Sequence, residues 1–267
     1  MTLARGAENV SHANQTACSL AYVQRARGGL RAATETCESG LAWAARHGPS
    51  GRIDLGPLLA GLADLHCERN DLDAAIRCAN EAILASQQLG TPDLVALSTL
   101  VLARARRAQG DTAAAVAALD DLAPLEPKVA WVAEIAAAVH VQLQPLGHAP
   151  LDLARTQDPH LRSRARLLPY AYEHAWIAPV AQFLARGDAA RALEALDGLE
   201  SEAGWLLWLR IKVLILRALA QHLDGEVAPA VKALRAAVDL AEPEGFVRVF
   251  AEEGAPLAPL LRVLRRQ

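Results

Sequence analysis

Four aromatic side chains, Trp131, Tyr172, Trp176 and Trp208, and the cation Arg210 have the chemistry to hold a ligand. Aromatic faces form a platform for flat or sugar-like molecules, and a neighbouring guanidinium can hydrogen-bond a polar edge. Five Trp against three Tyr and three Phe is a high share of the aromatic content. Trp205 and Trp208 are three apart, on one face of a helix. The same rings would also serve ordinary packing between helices, so the sequence leaves both uses open.

Reactive chemistry has no comparable support. The sequence contains no G-x-x-x-x-G-K-[ST] phosphate cradle, no G-x-S-x-G, no H-E-x-x-H and no H-x-H pair, and its eight His are scattered. Glu173 and His174 are adjacent, but neighbouring helical positions diverge by about 100° and cannot easily converge on one proton or metal. No catalytic residue, cofactor site or metal site is expected. Arg162, Arg164 and Arg166 could hold an anion or form the solvated face of a connecting segment. Arg262, Arg265 and Arg266 could touch phosphate or an adjoining domain, and as cations in a last helical turn they also suit its dipole. Cys18, Cys37, Cys67 and Cys78 contain no C-x-x-C pair, which predicts buried structural thiols rather than a disulfide or metal framework.

The elements that must position these residues come from a repeat. A small-residue turn followed by an Ala-rich amphipathic stretch starts at Gly28, Asn70, Gly110, Gly187 and Gly225, spacings of 42, 40, 77 and 38 residues. Because 77 is close to two periods, a worn copy is expected near residue 148, at Gly147-His148-Ala149-Pro150. A period of this length, with one turn and two helices per unit, marks a helical solenoid. Second helices carry one apolar stripe. In the last unit it is Val227, Ala230, Val231, Leu234, Ala237, Val238 and Ala241, with Lys232, Arg235 and Asp239 off it. The second unit repeats it with Leu72, Ala75, Ile76, Ala79, Ala82 and Ile83. First helices are expected at roughly 11–27, 54–69, 92–108, 129–144, 170–186 and 205–223. They line the concave surface of such solenoids, and Trp131, Tyr172, Trp176, Trp205 and Trp208 all fall on them.

Breaks are predicted at His47 to Gly51, Gly90-Thr91-Pro92, Pro124 to Pro127, Asp158-Pro159 and Glu200 to Gly204. His160 to Leu168 should form an extra short segment, and Pro179 should remove the backbone bond to Ala175 and bend its helix. The fold class is therefore all-α, a right-handed superhelical solenoid of about six antiparallel helix pairs. Residues 1–253 are read as one elongated repeat domain and 254–267 as a C-terminal capping helix.

Composition agrees. Hydrophobic residues make up 52% and aromatics 4%, so the interior is built mainly from Ala, Leu and Val. A net charge of −3 provides no field for a polyanion and argues against nucleic-acid binding by this segment alone. The first twenty residues carry Arg5, Glu8, His12 and Asn14 and lack an apolar signal-peptide core, which points to a cytoplasmic, reducing location. Trp205 to Leu223 is apolar enough to suggest a membrane span. Arg210, Lys212 and Arg217 argue against it, each costing about 2.5–3.5 kcal/mol near a bilayer centre.

The run from Ala230 to Gly254, with Ala241-Glu242-Pro243-Glu244-Gly245-Phe246-Val247-Arg248-Val249-Phe250 at its heart, resembles the end of the tetratricopeptide (TPR)-like sensor domain of MalT-type regulators. These are the large ATP-dependent members of the LuxR family of bacterial transcription activators. Likeness continues through Arg186-Gly187-Asp188-Ala189-Ala190-Arg191-Ala192-Leu193 and Arg217-Ala218-Leu219-Ala220. The resemblance implies a TPR-like solenoid of the MalT domain III type, binding a small-molecule inducer or a protein partner. ATP and DNA would be handled only by an ATPase and a helix-turn-helix domain absent from this chain, the latter expected after Gln267. The alternative is a free-standing adaptor holding a peptide or protein in its groove. Physically, Pro243 ends a helix, Gly245 can take positive φ, and Phe246 and Phe250, four apart, give the next short helix an apolar side.

Overall fold

A computed structural model describes the backbone of residues 2–46, 55–125, 132, 136, 169–204 and 206–266, with side chains from residue 12 onward except those of 169–176 and 201–202. The corners between helices show why this sequence folds as it does. Gly28, Asn70, Gly110, Gly187 and Gly225 have φ of 93°, 65°, 88°, 73° and 86°. Each lets the next residue donate its N–H to a carbonyl five positions back. Gly29 bonds Gln24, Asp71 bonds His66, Asp111 bonds Arg106, Asp188 bonds Phe183 and Glu226 bonds Gln221. This is the Schellman closure of a helix end.

At three corners the same residue also opens the following helix. Asp71 accepts from the Ala74 N–H at 3.3 Å, Asp111 from Ala114 at 3.0 Å and Asp188 from Arg191 at 3.1 Å. The Arg191 backbone N–H, and then its side chain, hold the Asp188 carboxyl below the usual carboxylate range. Stopping one helix and capping the next within two residues folds the chain back on itself, so each corner makes an antiparallel pair.

The chain divides into two compact units, residues 1–25 with 29–132, and 26–28 with 133–267. The first holds α1 (Thr2–Ala26), α2 (Leu30–Arg46), α3 (Gly56–Glu68), α4 (Leu72–Leu89), α5 (Pro92–Ala108) and α6 (Thr112–Asp120). The second holds α7 (Pro169–Ala185), α8 (Ala189–Ala203), α9 (Leu207–Leu223), α10 (Val227–Ala241), the short α11 (Arg248–Ala251) and α12 (Ala258–Leu264). No strand occurs among the described residues. Successive helices pack on one another, and first helices also meet the next first helix, α3 on α5 and α7 on α9. That side-by-side stacking is the TPR-like solenoid expected from the repeat. Of the expected fourth pair only residues 132 and 136 are described, both helical, while the worn corner near residue 148 and the segment 160–168 lie outside the described residues.

The apolar stripes face inward. Ala75, Ala79 and Ala82 of α4, and Ala230, Leu234 and Ala237 of α10, are fully buried, while Lys232, Arg235 and Asp239 are exposed. Val227 departs from the expected stripe at 45% exposure, because it is the first residue of α10 and precedes the packed turns. Ala75→Phe is expected to overpack α4 against α3 and α5 and cost about 1–3 kcal/mol, read as a lower urea midpoint at unchanged slope.

Gly90 at φ 68° and Pro92 at the start of α5 form the predicted break, and residues 123–125 make a 3-10 turn beside Pro124. The break placed at Glu200 begins later. The α8 helix continues to Ala203, and Gly204, at φ 43°, ends it, since nothing in Glu200 to Glu202 opposes a helix. Pro179 lies inside α7, which runs on through it. At the C-terminus Gly245 adopts φ 79° and Phe246 returns its N–H to Ala241. Phe246 is buried as expected. Phe250 is only half-buried, and the fully buried position on α11 belongs to Val249. No described helix is long and apolar enough to cross a membrane.

Candidate functional site

Helix α9 is packed against α7, α8, α10 and α11. So many neighbours leave it one open side, the stripe Arg210, Leu214, Arg217 and Gln221 at helical spacings of four, three and four. Arg210 is exposed on it. Arg217 is held by α8, its guanidinium donating to Asp197 at 2.9 Å and Glu200 at 2.8 Å. Trp208 is two residues from Arg210, hence about 200° around the helix, and is 1% exposed. It packs in the interior and presents no face beside Arg210. Tyr172 and Trp176 sit four apart on α7, the helix stacked next to α9, and their side chains lie outside the description. Trp131 and Trp205 lie outside the described residues, as do Arg162, Arg164 and Arg166. The structure thus places Arg210 on an accessible surface and puts two of the aromatic positions on the adjoining helix.

Two buried charge clusters escaped the sequence reading. In the first unit, Arg25 of α1 donates through Nε to Asp64 of α3 at 2.6 Å. Arg104 of α5 donates to the other oxygen of Asp64 at 3.4 Å and to Glu68 at 2.9 Å. All four side chains are at most 6% exposed. Three successive first helices are therefore joined by charges of alternating sign. In the second unit, Lys212 of α9 is buried and paired with Glu253 and, at 3.6 Å, with Glu252, just beyond α11. Lys212 lies away from the open stripe of its helix, so the charge that argued against a membrane span is neutralised inside the fold.

A groove of about 710 Å³ runs between α1 and α2. Ala13, Ala17, Leu20, Glu35, Gly40 and Trp43 are among the residues that line it. Leu20 is 51% exposed there. Thr36 donates to Gln24 across the two helices at 2.8 Å. Cys37 of α2 is buried, with its Sγ 3.3 Å from where a Cβ on Gly61 would sit, and burial, followed by the neighbouring Cys18, Glu38 and Cys78, pushes its thiol up to about 12. Such a thiol packs and does not react. Cys67 is also buried, whereas Cys18 and Cys78 are partly exposed, and none of the four is in a disulfide. Among the described residues no three His, Cys, Asp or Glu converge as metal ligands.

Paired helices with left-handed corners, stacked first helices and the Glu-Pro-Glu-Gly-Phe closure characterise the described residues, and the family model for the MalT-like TPR region matches residues 1–267. The chain belongs to this family. No curated protein matches it. A TPR-like repeat domain of this kind is typically a non-catalytic binding module. The C-terminal residues quoted for the resemblance acquire a structural reason here. Gly245 makes the corner, Phe246 and Val249 fill the last gap, and Glu252 and Glu253 meet the buried Lys212.

Proposed function

We propose that the chain is the effector- or partner-binding sensor module of a MalT/LuxR-type transcription regulator. Residues 1–253 act as its repeat domain and 254–267 as its C-terminal cap, in the cytoplasm. The observation that carries this reading is the match of the MalT-like TPR region along residues 1–267. ATP hydrolysis and promoter binding are functions of domains other than this one, and this module performs no catalysis. Its ligand contacts are Arg210, on the open stripe of α9, with Tyr172 and Trp176 of the adjoining α7. Trp208 supports that surface from within α9. Ligand occupancy shifts the population between two arrangements of the repeats, by as much as its affinities for the two differ.

A thermal-shift screen of the whole chain against sugars, nucleotides and peptides tests the proposal. A ligand present at 100 times its Kd adds about 2.7 kcal/mol to the folded state and raises the melting temperature. Arg210→Ala and Trp176→Ala are expected to abolish that rise while leaving helix content unchanged. A ligand whose stabilisation survives both substitutions would move the site elsewhere. Recovery of a protein partner with no small-molecule stabilisation would favour the adaptor reading, for which the α1–α2 groove is the natural seat.

A further inference from the structure

A lysine buried in the middle of an apolar helix has to be compensated, because taking an ammonium out of water without an anion is costly. Lys212 finds its anions on a different structural piece. Glu252 and Glu253 belong to the segment that follows α10, and Arg248 of the same segment lies 3.9 Å from Glu252. This segment comprises the four-residue α11, a 3-10 turn at Ala255–Leu257 and the seven-residue α12. Helices of that length do not hold their shape alone in water. Their order depends on docking, through Phe246, Val249, Leu257 and Leu260, all buried, and through the charges that meet Lys212. Apolar contacts are non-directional, whereas the ion pairs fix where the segment sits on α9.

We propose that Lys212 with Glu252 and Glu253 is an ionic latch that lets the C-terminal segment 246–264, which joins the end of the repeat domain to the cap, dock on and leave the α9–α10 pair as one unit. The two sides of the latch are unequal. Lys212 is 4% exposed in its side chain, while Glu252 and Glu253 are 22% and 18% exposed and close to water. Removing the carboxylates therefore takes two anions from a buried cation, whereas removing the lysine leaves carboxylates that solvent can reach. The latch stands on this geometry alone and does not require that α9 bind a ligand.

Hydrogen–deuterium exchange of the full chain tests it. Glu252→Gln/Glu253→Gln is expected to raise amide exchange across 246–264 by about tenfold or more, while residues 227–241 of α10 keep their protection. Adding Lys212→Met to the same variant removes the buried charge and should bring exchange in 246–264 back to within about threefold of the wild type. The proposal is overturned if the double variant leaves 246–264 as protected as before. It is equally overturned if α10 loses protection in parallel with residues 246–264, or if Lys212→Met fails to restore it.

Discussion

Asp64→Ala is expected to cost about 3–5 kcal/mol, a large part of the stability of a domain of this kind. The Asp64 carboxylate accepts from Arg25 at 2.6 Å and from Arg104 at 3.4 Å, so one substitution strips an anion from two buried guanidinium groups on two different helices. Glu68 still holds Arg104 at 2.9 Å, which places the greater share of the loss on the α1–α3 contact. Urea unfolding followed by circular dichroism should show a lower midpoint, with the α1–α2 pair exchanging its amides before α3–α5. Replacing the whole cluster, Arg25→Met, Asp64→Leu, Glu68→Met and Arg104→Met, should recover most of the loss, because apolar side chains of similar volume need no counter-charge. A cost below about 1 kcal/mol for Asp64→Ala would show that water reaches the cluster and that the pairs act as surface salt bridges do.

The cluster also shows what a single helix cannot reveal about a repeat protein. Arg25, Asp64 and Arg104 are separated by 39 and 40 residues, the repeat period itself, and alternate in sign. That pattern was available in the sequence. Single-helix periodicity hides it, because a charge off the apolar stripe of its own helix reads as solvated. In a stacked array the partner lies one period away. The corners were legible for the opposite reason. Gly28, Gly110, Gly187 and Gly225 are needed where φ is positive, and Asn70 is a residue that tolerates that region, so each identity follows from its own backbone. Small core residues such as Ala75 and Ala230 were legible too, since 3.6-residue periodicity is a local property. Glu200 and Val227 mark the resolution of such reasoning, because helix ends and first turns depend on what lies beyond them.

Trp208→Ala is expected to cost about 3–5 kcal/mol, as removal of a fully buried aromatic side chain does elsewhere. At 1% exposure Trp208 is among the largest side chains wholly inside the protein, and α7, α8, α10 and α11 surround its helix. An aromatic residue on a first helix therefore has two possible environments, and sequence spacing alone gives no way to choose, since a residue two positions along, Arg210, faces the opposite way into solvent. Arg210→Ala supplies the contrast. An exposed substitution away from buried partners should change stability by no more than about 0.5 kcal/mol. Urea midpoints for the two variants separate scaffold from recognition surface on one helix. A large loss at Trp208 with none at Arg210 supports the assignment made from burial. If Trp208→Ala instead kept the wild-type midpoint and lost only ligand-induced stabilisation, the ring would have to swing out of the interior to meet ligand, and the binding surface would need to be redrawn around it.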